Sequence, residues 1–165
     1  MNGKIAIVPG SFDPMTTGHR ALVETVAARY ETVYVTVMTN FEKQPLLDSA
    51  LRCKIAELTV ADLPNVKVIA DNGLLVDLFD RLHADVVCKG YRNEKDYAYE
   101  KTQDEWNRAH NPRFVTELIP AKPGTKEISS TLVRRLMENG MPLTGLVADQ
   151  AVPVLLDFSI KAFKK

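Results

Sequence analysis

Two short segments of this chain hold groups that suit the binding of phosphate. The first, Thr16-Thr17-Gly18-His19, follows an apolar run and opens a helical pattern. The second, Ile128-Ser129-Ser130-Thr131, places a run of hydroxyl residues at another predicted helix start, with Arg134 about one turn inside. The first amides of a helix have no partner within it and lie at the positive end of its dipole. Both segments are therefore suited to an anion such as a phosphate chain.

The loop that carries His19 brings further polar groups to the end of the preceding strand. Gly10 permits a sharp turn, Ser11 offers a hydroxyl and an amide, and Gly18 permits close approach of the backbone. An imidazole donor at His19 can bind a phosphate oxygen whose charge changes during a reaction. Neither Gly-x-Gly-x-x-Gly nor the Walker pattern occurs in the loop, which disfavours a kinase or an ordinary dinucleotide-binding protein. Either segment alone is more typical of a simple helix cap, so the prediction depends on the pair.

Strands and helices alternate along the chain. Apolar runs rich in β-branched residues predict strands at 5–8, 33–37, 66–69, 86–88 and 114–119. Helical spacing and cap residues predict helices from about 18 to 30, 48 to 58, 74 to 82, 96 to 110, 129 or 130 to 137, and 149 to 163. This alternation predicts an α/β fold, a doubly wound parallel five-stranded sheet with helices on both faces. Ligands bind beyond the carboxyl ends of such strands, which is where both segments fall.

Composition narrows the class of protein. The chain has 165 residues, of which 45% are hydrophobic and 25% charged, and this balance predicts one soluble globular domain over 1–165. Lys plus Arg and Asp plus Glu both total 21, so a nucleic-acid partner is disfavoured. No stretch without charge exceeds ten residues, the length of Thr32 to Phe41, and this is half of the roughly 20 residues that a membrane span needs. Cys53 and Cys88 have no metal-ligand spacing, and with no secretory pattern the chain is expected in the cytoplasm.

The paired segments resemble the signatures of the nucleotidylyltransferase superfamily, and within it the chain is similar to the phosphopantetheine adenylyltransferases. The similarity covers nearly the whole length and includes Pro9–Pro14, Lys43 before Pro45, Gly73–Asp77, and Lys89-Gly90-Tyr91-Arg92 followed by Asp96-Tyr97 and Tyr99-Glu100. It implies a Rossmann-like nucleotidylyltransferase fold. It also implies transfer of the adenylyl group of ATP to 4′-phosphopantetheine, giving dephospho-coenzyme A and pyrophosphate by direct in-line attack without a covalent intermediate.

The resemblance also implies roles for individual residues. His19 would stabilise the α-phosphate in the transition state, and Lys43 would bridge the acceptor phosphate and the phosphate under attack. The remaining acceptor-binding residues would be Ser11, Leu75, Lys89 and Asn107. ATP would be held by Ser11, Phe12, His19, Gly90, Tyr91, Arg92, Glu100, Ile128, Ser129, Ser130 and Thr131.

The sequence departs from the family pattern at three places. Lys89 stands where the family usually has arginine, which keeps the charge but loses the planar fork. Thr131 replaces the more usual third serine, and the stretch Gly124–Glu127 lacks the aromatic residue that members commonly carry before the serine run. Adenine contacts from that stretch are therefore not predicted.

The resemblance implies Mg²⁺ arriving with ATP, since polyphosphates normally react as their metal complex. It implies assembly into a homohexamer as well. Two other interpretations stay open from the sequence. One is an adenylyl- or cytidylyltransferase with a different phosphorylated acceptor, and the other is an ATP-binding sensor domain without catalytic activity.

Overall fold

The protein is described here from a computed structural model that covers residues 4–39 and 42–163. In chain order the elements are β1 (Ile5–Gly10), α1 (Thr17–Ala27), β2 (Thr32–Met38), α2 (Ser49–Val60), β3 (Val66–Asp71), α3 (Leu75–Arg81), β4 (Val86–Tyr91), α4 (Glu94–His110), β5 (Thr116–Pro120), α5 (Ser130–Glu138) and α6 (Val152–Ala162). A 3₁₀ turn, Asp149–Ala151, leads directly into α6. The predicted alternation of strands and helices is confirmed.

The strands form one parallel sheet in the order β3-β2-β1-β4-β5. β1 is central and pairs with β2 on one side, for example Val8 with Val35. On its other side β1 pairs with β4, Ile7 lying opposite Val87. The chain first adds strands on one side of β1 and then on the other, so β1 and β4 flank the point where strand order reverses. In parallel sheets this point opens a crevice at the carboxyl ends of the strands.

Each face of the sheet is covered by helices and forms its own apolar core. Ala6 and Val8 of β1 are buried in the larger core with residues of α1, α2, α5 and α6. The residue between them, Ile7, lies on the opposite face, where it packs with Phe79 of α3 and with Phe114. Successive strand side chains point to opposite faces, so a continuous apolar run is what a doubly covered strand requires. The predicted arrangement of helices on both faces is therefore confirmed.

Three helices begin at side-chain caps that lie at or near their predicted starts. The Thr16 side chain accepts from the His19 amide at the start of α1. Asp48 accepts from the Leu51 amide at 2.8 Å at the start of α2. Ser129, one of two candidates for α5, is its cap. These local bonds satisfy amides that the helix itself leaves free, which is why a cap residue can be recognised from sequence.

The fourth helix differs from its prediction at its start. α4 begins at Glu94 rather than near Asp96, because the Asn93 side chain accepts from the Asp96 amide at 2.8 Å and caps it two residues earlier. β4 also runs on through Lys89 and Gly90 to Tyr91. The strand is thus longer than the predicted 86–88, and its last residues carry polar groups to the crevice. α4 is long and polar, and among the described residues no helix has both the length and the apolar character to cross a membrane.

Candidate active site

A cavity of about 650 Å³ opens at the carboxyl ends of β1, β4 and β5. The starts of α1 and α5 form one side of it, and α4 forms the other. All the predicted site residues line this cavity except Lys43 and Asn107: Ser11, Phe12, His19, Leu75, Lys89, Gly90, Tyr91, Arg92, Glu100, Ile128, Ser129, Ser130 and Thr131. Segments more than a hundred residues apart in the sequence therefore meet around one space.

Hydrogen bonds with Thr16, in the first turn of α1, hold the His19 ring in a single tautomer. Its backbone amide donates to Thr16 Oγ1 at 3.3 Å, and the Thr16 amide donates to His19 Nδ1 at 3.0 Å. Because Nδ1 accepts a hydrogen bond, the ring proton must lie on Nε2, and this nitrogen is left as the donor. Burial, together with the nearby Arg92 guanidinium, lowers the pKa of His19 to about 4. The cavity therefore contains a neutral imidazole donor at neutral pH.

Phe12 supports the histidine with its ring. Its side chain is buried and meets the His19 ring edge-on, with the ring centres 5.1 Å apart. The other side of the ring covers Gly10, where an added Cβ would lie 2.9 Å from Phe12 Cζ. Gly10 is therefore required by packing against Phe12. Phe12 nevertheless lines the cavity, although only 5% of the residue is exposed.

Asp13 ties the first loop to the two neighbouring segments. Its carboxylate accepts from the amides of Leu46 and Leu47, both at 2.9 Å, and so fixes the loop that precedes α2. Arg134 donates to the Asp13 carbonyl oxygen at 2.7 Å and lies 3.7 Å from its carboxylate. The first loop and the start of α5, the two segments singled out from the sequence, are thus directly bonded to each other.

The hydroxyls at the start of α5 make different hydrogen bonds. Ser130 donates its proton to the Pro14 carbonyl oxygen at 2.7 Å and cannot also donate to a ligand. The oxygen of Ser129 accepts from the amide three residues on at 3.1 Å, and Thr131 accepts from Arg134 at 3.1 Å. Both of these groups keep a proton that can be donated. In the described part of the chain the amides of Ser130 and Thr131 have no acceptor, as expected for a helix start.

The opposite side of the cavity pairs its cations with carboxylates of α4. Lys89 Nζ lies 3.2 Å from Glu100 Oε2, and both side chains are largely buried. Arg92 donates to Asp96 Oδ2 from its backbone amide and from Nε, each at 3.1 Å. Burial alone would raise the pKa of Asp96, but the two bonds from Arg92 hold it below the ordinary value of 3.8. An anion that binds Lys89 must compete with Glu100.

Two predicted site residues lie away from the cavity lining. Lys43 is exposed in the loop between β2 and α2. Asn107 is buried on the inner face of α4, where its carbonyl oxygen accepts from the Asn111 amide at 2.8 Å. The cavity lining instead includes Gln103, one helical turn nearer the start of α4. The sequence places Lys43 in the loop after β2, but it does not specify the direction in which that loop leaves the sheet. This explains why Lys43 lies away from the cavity lining.

Sequence reasoning did not assign a role to Asp96, although it lines the cavity and holds Arg92. Arg92 immediately precedes the Asn93 cap of α4, so Asp96 in the first turn of the helix lies next to the amide and guanidinium of Arg92. The described residues contain no group of three or more His, Cys, Asp or Glu side chains that could hold a metal ion. The carboxylates of the cavity, Asp96 and Glu100, are both engaged by cations.

Comparison with known proteins agrees with this geometry. Residues 7–136 match the cytidylyltransferase-like family model. A phosphopantetheine adenylyltransferase from Rubrobacter xylanophilus is 40% identical over 88% of this chain and 88% of its own. One from Bdellovibrio bacteriovorus is 37% identical over 92% and 95%. A crystal structure assigned to a nicotinate-nucleotide adenylyltransferase from Vibrio parahaemolyticus superimposes with a TM-score of 0.69 at 19% identity, covering 93% of this chain and 98% of that one. The chain belongs to the phosphopantetheine adenylyltransferase family of cytidylyltransferase-like proteins.

Proposed function

We propose that this protein is a pantetheine-phosphate adenylyltransferase. It would transfer the adenylyl group of ATP reversibly to 4′-phosphopantetheine, giving dephospho-coenzyme A and pyrophosphate. Relatives at 40% and 37% identity carry that name over most of their length. The observation that carries the proposal is the convergence of two helix starts, a neutral histidine donor and two cations on one cavity.

The chemistry asks for donors rather than for a general base. A phosphomonoester oxygen is already ionised near neutral pH, so it can attack the α-phosphate without losing a proton to the protein. The enzyme must bring two anions together in line and stabilise the charge that develops on the α-phosphate. No covalent intermediate is required by this route.

His19 has the properties that such a step needs. Its neutral ring donates from Nε2, and the lowered pKa keeps Nδ1 unprotonated and bonded to the Thr16 amide. A donor fixed in advance stabilises a developing charge without reorganising during the reaction. The free protons of Ser129 and Thr131, with the amides at the start of α5, would hold the phosphate chain.

The acceptor would bind on the side of the cavity formed by β4 and α4. Lys89 supplies a cation and Leu75 an apolar contact, while the Ser11 hydroxyl reaches the incoming phosphate. Gly90, Tyr91, Arg92 and Glu100 would contact ATP together with the backbone of Phe12. Lys43 and Asn107 are retained in the proposal as acceptor contacts, made when the substrate is bound.

Mg²⁺ is proposed to arrive with ATP. The cavity carboxylates Asp96 and Glu100 are bonded to Arg92 and Lys89, so they do not form a resident metal site. When bound to the polyphosphate, the ion would neutralise part of its charge and help to orient it. The residues of the chain then need to provide only hydrogen bonds and the cations described above.

Three further parts of the proposal concern the whole molecule. Residues 1–165 are proposed to form a single nucleotidylyltransferase domain, which six copies assemble into a homohexamer. Sedimentation velocity of the purified protein tests the assembly. The enzyme is proposed to act in the cytoplasm, where its substrate ATP is available.

The test is a substrate profile with coupled detection of pyrophosphate. Purified protein with Mg²⁺ should release pyrophosphate from ATP only when 4′-phosphopantetheine is present. Replacing the acceptor by nicotinate mononucleotide, or ATP by CTP, should abolish the release. Release with one of those replacements instead would identify a related transferase. Tight ATP binding without turnover of any acceptor would identify a sensor domain.

A further inference from the structure

One buried arginine in the larger core is not among the site residues predicted from the sequence. Arg52, on α2, is only 1% exposed and is among the largest fully buried side chains of the described residues. It lies on the same helix face as Ile55, Ala56 and Thr59, all of which are buried. Arginine is almost never buried so completely unless it is paired, so its contacts call for an explanation.

The guanidinium of Arg52 joins three segments that meet beneath the cavity. Nη1 donates to the Ser11 carbonyl oxygen at 3.0 Å and to that of Met38 at 3.2 Å. Nη2 donates to Thr39 Oγ1 at 3.0 Å, and Nε donates to the Leu47 carbonyl oxygen at 3.0 Å. One planar fork thus fixes the carboxyl ends of β1 and β2 to each other, which a lysine could not do.

The residues that Arg52 holds belong to the cavity, although Arg52 itself does not line it. Ser11, Met38 and Thr39 are all lining residues. Ser11 is also the first residue after β1, where the phosphate-binding loop begins. The Ser11 carbonyl and the Phe12 amide belong to one peptide group, so the orientation of that group, at the start of the loop, depends on Arg52.

The charge of Arg52 lacks a partner within the described chain. The other arginines with several bonds pair with carboxylates, as Arg20 does with Asp62 and Arg134 with Asp13. Among the described residues, 4–39 and 42–163, none of the ion pairs between a basic side chain and a carboxylate involves Arg52. Burying a cation without an opposite charge is unfavourable, and carbonyl dipoles offset only part of that penalty. An anion in the adjoining cavity would supply the missing opposite charge.

We propose that Arg52 is a positioning residue for the phosphate site. It holds Ser11 and Thr39 in the geometry that a polyphosphate requires, and its buried positive charge is balanced by the phosphates of the bound ligand. The proposal rests on the proposed function only in taking the anion to be a polyphosphate. Arg52 would act through Ser11 and Thr39 without touching the substrate.

The experiment measures the binding of inorganic pyrophosphate to the full chain by calorimetry, without turnover. Arg52→Lys keeps the charge and loses the fork, whereas Arg52→Gln keeps amide donors and loses the charge. The matched control is Arg20→Lys. Arg20 also donates to a backbone carbonyl, that of Thr59, and to carboxylates, but none of these groups lines the cavity.

We expect each Arg52 variant to bind pyrophosphate about tenfold more weakly than the unaltered protein, since each variant loses charge-assisted hydrogen bonds that hold the loop after β1. The Arg20→Lys protein should bind it within about twofold. Amide hydrogen exchange should become faster at the ends of β1 and β2 in Arg52→Lys and near Thr59 in Arg20→Lys. If one Arg52 variant does not fold, the other decides the result.

Three results would overturn the proposal: unaltered affinity in either folded Arg52 variant, an equal loss in Arg20→Lys, or no pyrophosphate binding by the unaltered protein. Failure of the proposed function is distinguishable from these. An enzyme that releases no pyrophosphate with any acceptor would refute the adenylyl transfer, while the binding titration would still decide the role of Arg52.

Discussion

The two sides of the cavity hold their polar groups in different ways. The donor wall, formed by the starts of α1 and α5, presents the neutral His19 ring, helix amides and hydroxyls. Each of its side chains is fixed by a bond to nearby backbone or to Arg134. The cation wall, formed by β4 and α4, presents Lys89 and Arg92, each bonded to a carboxylate of α4.

In the proposed reaction, this difference would separate binding from catalysis. Groups of the donor wall need not exchange partners, so their full strength is available to the charge that develops in the transition state. Lys89 and Arg92 of the cation wall must give up their bonds to carboxylates when they bind a phosphate. Their net contribution to the binding free energy is therefore the phosphate interaction minus the lost carboxylate interaction. Substitutions in the donor wall should therefore lower kcat, and substitutions in the cation wall should mainly raise KM.

The largest effect is expected at His19. His19→Ala should lower kcat by roughly a hundredfold or more, because it removes a fixed donor to the reacting phosphate. The affinity for ATP, measured by calorimetry, should change only modestly. His110→Ala removes an exposed histidine that stacks on Trp106 outside the cavity, and it should leave both quantities unchanged. An equal loss of kcat and ATP affinity in His19→Ala would contradict the division between the walls.

A smaller effect is expected at Lys89. Lys89→Met should raise the KM for 4′-phosphopantetheine about tenfold with little change in kcat, as the loss of one charged hydrogen bond implies. Steady-state kinetics with varied acceptor measures both constants. Lys161→Met is the matched control, since it removes a lysine paired with Asp157 on α6, far from the cavity lining. A kcat that falls as much as KM rises would place Lys89 with the donor wall.

The support of the donor wall can be tested through stability. Gly10→Ala would set a Cβ 2.9 Å from the Phe12 ring, and such crowding in a packed region costs about 1–3 kcal/mol of unfolding free energy. Gly18→Ala is the control, because its Cβ would meet the nearest atoms at 3.5 Å, an ordinary contact. Urea denaturation should show a lower stability for Gly10→Ala alone. Equal stabilities would mean that the ring moves freely and does not hold His19.

The last effect concerns the pH dependence of stability, which differs between the walls. The pKa of His19 is about 4 in the folded protein and 6.5 ordinarily, so the unfolded chain takes up the proton first. Stability linked to His19 is therefore lost as pH falls from about 6.5 to 4. The pKa of Asp96 is below 3.8, so stability linked to its bonds with Arg92 is lost only below that pH.

Urea denaturation between pH 7 and 3 measures both windows. His19→Gln should flatten the profile above pH 4, whereas Asp96→Asn should flatten it only below about pH 3.8. An unchanged slope between pH 6.5 and 4 in His19→Gln would show that the histidine is not held neutral in the folded protein.

Much of the secondary structure could be predicted from local patterns in the sequence. A β-branched run such as Ile5–Val8 favours a strand. Thr16, Asp48 and Ser129 each begin a helix by accepting a hydrogen bond from the amide three residues further on. The two phosphate-binding segments could also be found, since a helix start presents free amides wherever it occurs. These features depend on neighbours in the chain, which a single sequence displays.

The other interactions in and around the cavity depend on tertiary structure. Arg52 is a charged helix residue by sequence, and only the packing of α2 against the ends of β1 and β2 buries it. The Lys89–Glu100 pair likewise depends on how α4 packs against β4. The sequence by itself determined the elements and their caps, because these follow from short-range sterics and hydrogen bonds. Which side chains face one another depends on contacts between distant segments, whose geometry is set when the sheet and both helix layers pack together.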